Sequence, residues 1–151
     1  MNELATCLRY AQLTSHNLHN LVKGPMFLEY HEFFGEAYPA YEGDYDDVVE
    51  RMIGLGQMPD LTEINKAAFN KVLANDAASM NAEQMFGLLL SIEGDIQRDA
   101  ARFNEGASLG TQNLLQGIAD KSEMRVYKIK QILKKSNGGS PIGDLLKPSR
   151  F

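Results

Sequence analysis

Apolar residues recur at three- and four-residue steps along most of this chain, the period of a helix that buries one face. Residues 2–22 carry Leu4, Leu8, Ala11, Leu18 and Val22 at roughly that spacing. Gly24 and Pro25 interrupt the pattern, and Pro25 suits a first-turn position, where its missing N–H is not needed. A second, long helix is predicted from about 26 to 54, closing on the glycines of 54–56. Its interior holds Gly35, Pro39 and Gly43. Pro39 is the most unfavourable of these, at about 3 kcal/mol in a helix interior. The reading is a kink that packing tolerates; the alternative is a kink that shapes a two-fold interface near residue 39. Beyond Met58, Pro59 and Asp60, residues 61–69 read as a short helix, with Asp60 placed to cap it and Glu63 suited to its first turn. A third long helix is expected after residues 79–81, with Ala82, Met85, Phe86, Leu89, Ile92, Ile96 and Phe103 as its buried stripe. Residues 106–110 form a turn, and a last helix runs to Ser136 on Leu115, Ile118, Val126, Ile129 and Leu133. No internal repeat or low-complexity segment appears.

Four long helices, short connections at the ends and one long middle crossover give an all-α four-helix bundle, here over residues 1–136. Residues 137–151 form a Gly/Pro/Ser-rich, weakly basic tail that reads as irregular. A chain of 151 residues, 44% hydrophobic and 23% charged, is one globular domain able to bury its own core. The lone Cys7 excludes an internal disulfide and reads as a small packing residue in a reducing compartment. No segment resembles a signal peptide or reaches the roughly 20 apolar residues of a membrane span, so a cytoplasmic protein without membrane contact is expected.

Net charge narrows the partners. The chain carries −5 overall, which opposes general nucleic-acid binding. From Lys134 onward there are four cations (Lys134, Lys135, Lys147, Arg150) and one anion (Asp144), +3 in all, so the preceding body carries −8. The tail reads first as a solvated terminus whose Lys pair complements the end of the last helix dipole. Contact with DNA phosphate, multiplied over many subunits, is the alternative.

The densest chemistry lies between residues 19 and 50. His19, His31, Asp46 and Glu50 are nitrogen and oxygen donors of the kind that bind iron or zinc. Asp46 and Glu50 are four apart and share a helix face. His31 lies fifteen residues before Asp46, about 22 Å along a continuous helix, whereas metal–ligand bonds are about 2 Å long. One chain cannot readily bring both groups to one ion. Two copies of this helix, antiparallel about a two-fold axis near residue 40, would set His31 against the partner's acids. His16, three residues before His19, reads as a surface residue.

The stretch HNLVKGPMFLEYHEFF followed by DDVVERMIGLG resembles the Dps mini-ferritins, the bacterial DNA-protection and iron-storage family. His19, Val22, Gly24, Pro25, Phe27, His31, Glu32, Asp46, Glu50, Arg51, Leu55 and Gly56 match that family's signature. The resemblance implies a ferritin-like four-helix bundle with a short extra helix in the crossover, assembled as a hollow homo-dodecamer. It implies oxidation of Fe(II) by hydrogen peroxide or oxygen at an intersubunit site formed by His19, His31, Asp46 and Glu50, with zinc as a substitute ion. Stored ferric iron and protection against oxidative damage would follow. The alternative is a Dps-like shell or DNA-binding protein with weak or lost ferroxidase activity.

Three departures bear on that choice. The family's further iron-binding acid falls four residues after the second His, where this chain has Gly35, which leaves a vacancy for water. Two acids of the family's three-fold pores become Asn113 and Gly117, which removes electrostatic focusing of cations. The Trp after the first His is Asn20. Ferritin-like proteins with iron inside each bundle use Glu-x-x-His, which this chain lacks, so the intersubunit site is its one expected metal site.

Overall fold

A computed structural model describes residues 1–137. Five α-helices follow in order: α1 (Asn2–Leu21), α2 (Phe27–Gly54), α3 (Leu61–Leu73), α4 (Ala82–Asn104) and α5 (Leu109–Asn137), with one 3-10 turn at Ala77–Ser79. Short connections fold α2 back on α1 and α5 back on α4. The long connection carrying α3 joins the two pairs, and α3 lies on α1. The fold is the expected all-α bundle with a helix in its crossover.

Local chemistry sets the boundaries. The chain leaves α1 through Gly24, whose φ of +109° is a conformation that a side chain would strain. α2 ends in a Schellman arrangement: Gly56 adopts φ +79°, its N–H bonds Ile53 O at 2.9 Å, and Gln57 N–H bonds Met52 O at 2.9 Å. Asp60 caps α3 by accepting from Glu63 N–H at 3.0 Å. Asn81 and Gln84 form a reciprocal capping box at the start of α4. The short helix extends four residues beyond the expected 61–69, and α5 begins at Leu109, so Gly110 lies inside it and not in the turn.

The core sits between the two helix pairs. Leu4, Leu8, Ala11 and Leu18 of α1 are fully buried, as are Phe86, Leu89 and Ile96 of α4 and Ile118 and Ile129 of α5. The stripe residues Ala82, Phe103 and Leu133 pack at the core's edge, whereas Val126, also expected on the stripe, is half-buried and lies outside the core cluster. α2 passes through Gly35, Pro39 and Gly43 without a break, 28 residues long. Pro39 is exposed. α2 packs closely on α1 but only lightly on α5. Among the described residues no helix is long and apolar enough to cross a membrane.

Candidate metal centre

The turn between α1 and α2 brings His19, in the last turn of α1, against His31, in the second turn of α2. Their rings stack with centroids 3.7 Å apart and planes 24° apart. His19 Nδ1 lies 2.8 Å from the carbonyl oxygen of His31, and His31 Nδ1 lies 2.8 Å from the carbonyl oxygen of His19. A carbonyl can only accept, so each Nδ1 must carry the hydrogen and donate it. The neutral ring then keeps its lone pair on Nε2, the state in which imidazole binds a metal. One of these bonds also satisfies a carbonyl that the end of α1 would otherwise leave free.

Other rings continue the stack. Phe27 lies 4.9 Å from His31 on its other side. Tyr38 meets His19 edge-on at 5.6 Å, and His16 stacks on Tyr38 at 4.2 Å. His16 is exposed, as expected, but it packs on Tyr38. Both His19 and His31 are half-buried, so their rings are fixed yet reachable.

The expected vacancy at Gly35 is not open space. A Cβ at residue 35 would stand 3.1 Å from both Cε1 and Nδ1 of His19. The imidazole leans over the α2 backbone and takes the volume in which water was expected. The correction has a simple cause: with no side chain at 35, the nearest ring settles onto the helix.

Asp46 and Glu50 are exposed on α2. Because α2 is unbroken, His31 and Asp46 stay about 22 Å apart along its axis. Among the described residues no three His, Cys, Asp or Glu side chains converge as a metal-binding group. The structure therefore assembles the histidine half of the predicted set and leaves the carboxylate half separate. Glu50 lines a cleft of about 500 Å³ with Asp47, Arg51, Gly54, Leu55, Asn113 and Leu114. Lys134 is exposed near the end of α5; Lys147, Arg150 and the side chain of Lys135 lie outside the described residues.

A ferritin-like domain family matches residues 1–138. A nutrient stress-induced DNA-binding protein of Synechococcus is 30% identical over 128 residues, covering 82% of this chain and 72% of that protein. The chain belongs to the Dps family of ferritin-like proteins. A nutrient stress-induced DNA-binding protein of Nostoc is 27% identical over 138 residues, covering 85% of this chain and 71% of its own. The DNA protection during starvation protein 2 of Bacillus anthracis is 25% identical over 133 residues, covering 78% and 83%.

This Dps chain also holds a charged cluster inside the bundle that the sequence reading missed. Glu93 of α4 is fully buried and accepts hydrogen bonds from the Tyr41 hydroxyl and from Arg125 Nε. Arg125 Nη2 reaches its second oxygen at 3.4 Å, and the guanidinium lies 4.4 Å over the Tyr41 ring. One helix turn along α2, the buried Asp44 pairs with Lys121. Burial, and then the Glu93 carboxylate, push the Tyr41 phenol well above its ordinary range, so it stays protonated and donates. Burial also raises the Asp44 carboxyl, against the pull of Lys121. Lys121 and Arg125 thus give Asp44 and Glu93 cationic partners inside the bundle. The signal was legible: Phe86, Leu89, Glu93, Ile96 and Ala100 run at 3-4-3-4 spacing, which places Glu93 on the buried stripe of α4.

Proposed function

We propose that this chain is a mini-ferritin subunit that takes up Fe(II) at an interface between two copies, oxidises it with hydrogen peroxide or oxygen, and stores the ferric product inside a hollow dodecamer. The observation that carries the reading is the reciprocal His19–His31 arrangement. Each backbone carbonyl fixes the tautomer of the opposite ring, so each ring keeps its Nε2 lone pair free for a metal. Iron is the substrate here. The histidines bind and orient it. Asp46 and Glu50 of a second copy would add oxygen donors whose charge favours the more highly charged oxidised ion. This requires an antiparallel two-fold pairing of α2, because the unbroken helix keeps His31 and Asp46 of one chain about 22 Å apart. A dodecamer would comprise twelve chains of 16.8 kDa.

A second reading is a shell or DNA-associated protein with weak iron chemistry. The absence of a ligand atom at Gly35 favours it, as do the names of the cyanobacterial relatives, which describe DNA binding. An anaerobic Fe(II) titration of the assembled protein, followed by one equivalent of peroxide per two iron ions, separates the two. The mini-ferritin reading expects stoichiometric ferric absorbance that stays soluble and co-elutes with the protein. The shell reading expects ferric iron to precipitate at the protein-free rate.

A further inference from the structure

We propose that the open groove between α2 and α5 is the docking site of this chain's own residues 142–146, which lie outside the described residues. The inference does not depend on the metal-site reading. α2 packs closely on α1, and α5 on α4, but α2 and α5 meet only lightly. The splay leaves two cavities of about 270 and 380 Å³ that share Phe33 and Lys128 and so form one groove. Its walls are large apolar side chains. Met26, Met124 and Tyr127 are 41%, 54% and 58% exposed, and Tyr30, Phe33 and Ile132 are half-buried. A run of exposed apolar side chains rimmed by charge marks an interaction surface.

The sequence that follows α5 selects the occupant. Fourteen residues, 138–151, come after the end of that helix at Asn137. They begin with Gly138, Gly139, Ser140 and Pro141, residue types that suit a reversal of the chain. Ile142, Leu145 and Leu146 then place three large apolar side chains within five residues. The reach is sufficient. On α5 the groove begins at Ile132, about 8 Å back from Asn137, and passes Tyr127, about 15 Å back. An extended run from Pro141 to Leu146 spans about 17 Å. Charge agrees as well. The segment carries Asp144 and Lys147, and the groove carries Lys128 at its centre with Glu29 and Glu36 along α2. A short tether raises the local concentration to about the millimolar range, so a contact too weak to join separate molecules is populated within one chain.

The test uses the full chain in its assembled form. Glu29→Cys, on the α2 wall, and Gly143→Cys, in the segment, are introduced together and treated with a short bis-maleimide. Cys7 is buried, so the introduced thiols are the ones that react. Rapid cross-linking within one chain is expected, read after denaturation as a product of single-chain mass. Adding Leu145→Ser and Leu146→Ser is expected to slow that cross-linking by at least about tenfold, because burial of the two leucines is what holds the segment in place. Absence of any cross-link would overturn the proposal. Cross-links that join two chains would overturn it too and assign the groove to a second copy. Equal rates with and without the two serines would show a tether that meets the groove by chance, and would also overturn it.

Discussion

Replacing Arg125 with Met tests the interior charge cluster, the part of the fold that local sequence rules predict least well. Glu93 is 0% exposed, and the Arg125 side chain is 12% exposed. Met keeps most of the apolar stem but removes the only cation bonded to Glu93 among the described residues. The carboxylate would retain the Tyr41 hydroxyl and would otherwise face a low-dielectric interior. Breaking one side of a buried ion pair typically costs about 3–5 kcal/mol. The lower end applies here, because the Tyr41 bond remains and Arg125 is not wholly enclosed. About 3 kcal/mol corresponds to a fall in melting temperature of about 6–12 °C for a chain of this size. The double variant Glu93→Leu/Arg125→Met removes both charges and leaves only the Tyr41 hydroxyl without a partner. It is expected to recover at least half of the loss, since replacing both members of a buried pair with apolar groups is often neutral. Thermal denaturation followed by circular dichroism measures this, at fixed protein concentration because assembly contributes to apparent stability. If Arg125→Met costs less than about 1 kcal/mol, or if the double variant is as unstable as the summed single changes, the cluster is not the coupled buried unit described here.

Asp44 gives a pH-dependent prediction. Burial holds its carboxyl above the ordinary value of 3.8, so the folded state binds this proton more tightly than the unfolded chain does. Its contribution is greatest below that value and is lost as pH rises through the raised one. Asp44→Asn should therefore melt at or above the wild-type temperature at pH 7, and the advantage should shrink as pH falls toward 4; the opposite trend would show that Lys121 dominates. Cys7 is buried, donates to Ile92 O at 3.9 Å, and has its thiol pushed up to about 12 by burial. A thiol reagent at pH 8 should leave the native protein unlabelled and label it fully in denaturant; rapid labelling of the native protein would contradict that assignment. Pro39→Ala restores a helix N–H at an exposed position of an unbroken helix, so it should raise the melting temperature unless Pro39 sets the interface between copies. Size-exclusion chromatography of this variant distinguishes those outcomes.

The helices were legible because period and punctuation agree. Leu4, Leu8, Ala11 and Leu18 mark the buried face of α1, and Gly24, Gly56 and Asp60 sit where the chain turns or starts a helix. α3 ran past the expected end because Val72 and Leu73 continue its pattern without a breaker until the connection itself. The histidine pair was legible as residue types at family positions, but its stacking was not. That geometry depends on how the turn at Gly24 registers two helices, which spacing along one chain does not specify. The same limit applied to Gly35. Sequence showed that a ligand was missing, whereas only three-dimensional packing showed that His19 fills the space. The interior cluster was missed because Glu93 and Arg125 look like surface residues by type, although Glu93 falls on the apolar stripe of α4 and Arg125 lies one helix turn before the buried Ile129.

The central claim is that two copies complete one metal site, and mixing variants tests it most directly. His31→Ala and Asp46→Ala are each expected to lose most specific Fe(II) or Zn(II) binding when assembled alone. Co-assembled from equal amounts of unfolded chains, about half of the two-fold interfaces should pair unlike chains. Each such interface carries one intact site and one doubly broken one. Metal binding by isothermal titration should then return to about a quarter of the wild-type number of sites, with wild-type affinity at each. Mixed assemblies that bind no more metal than either variant alone would contradict a site shared between His31 of one copy and Asp46 of the other.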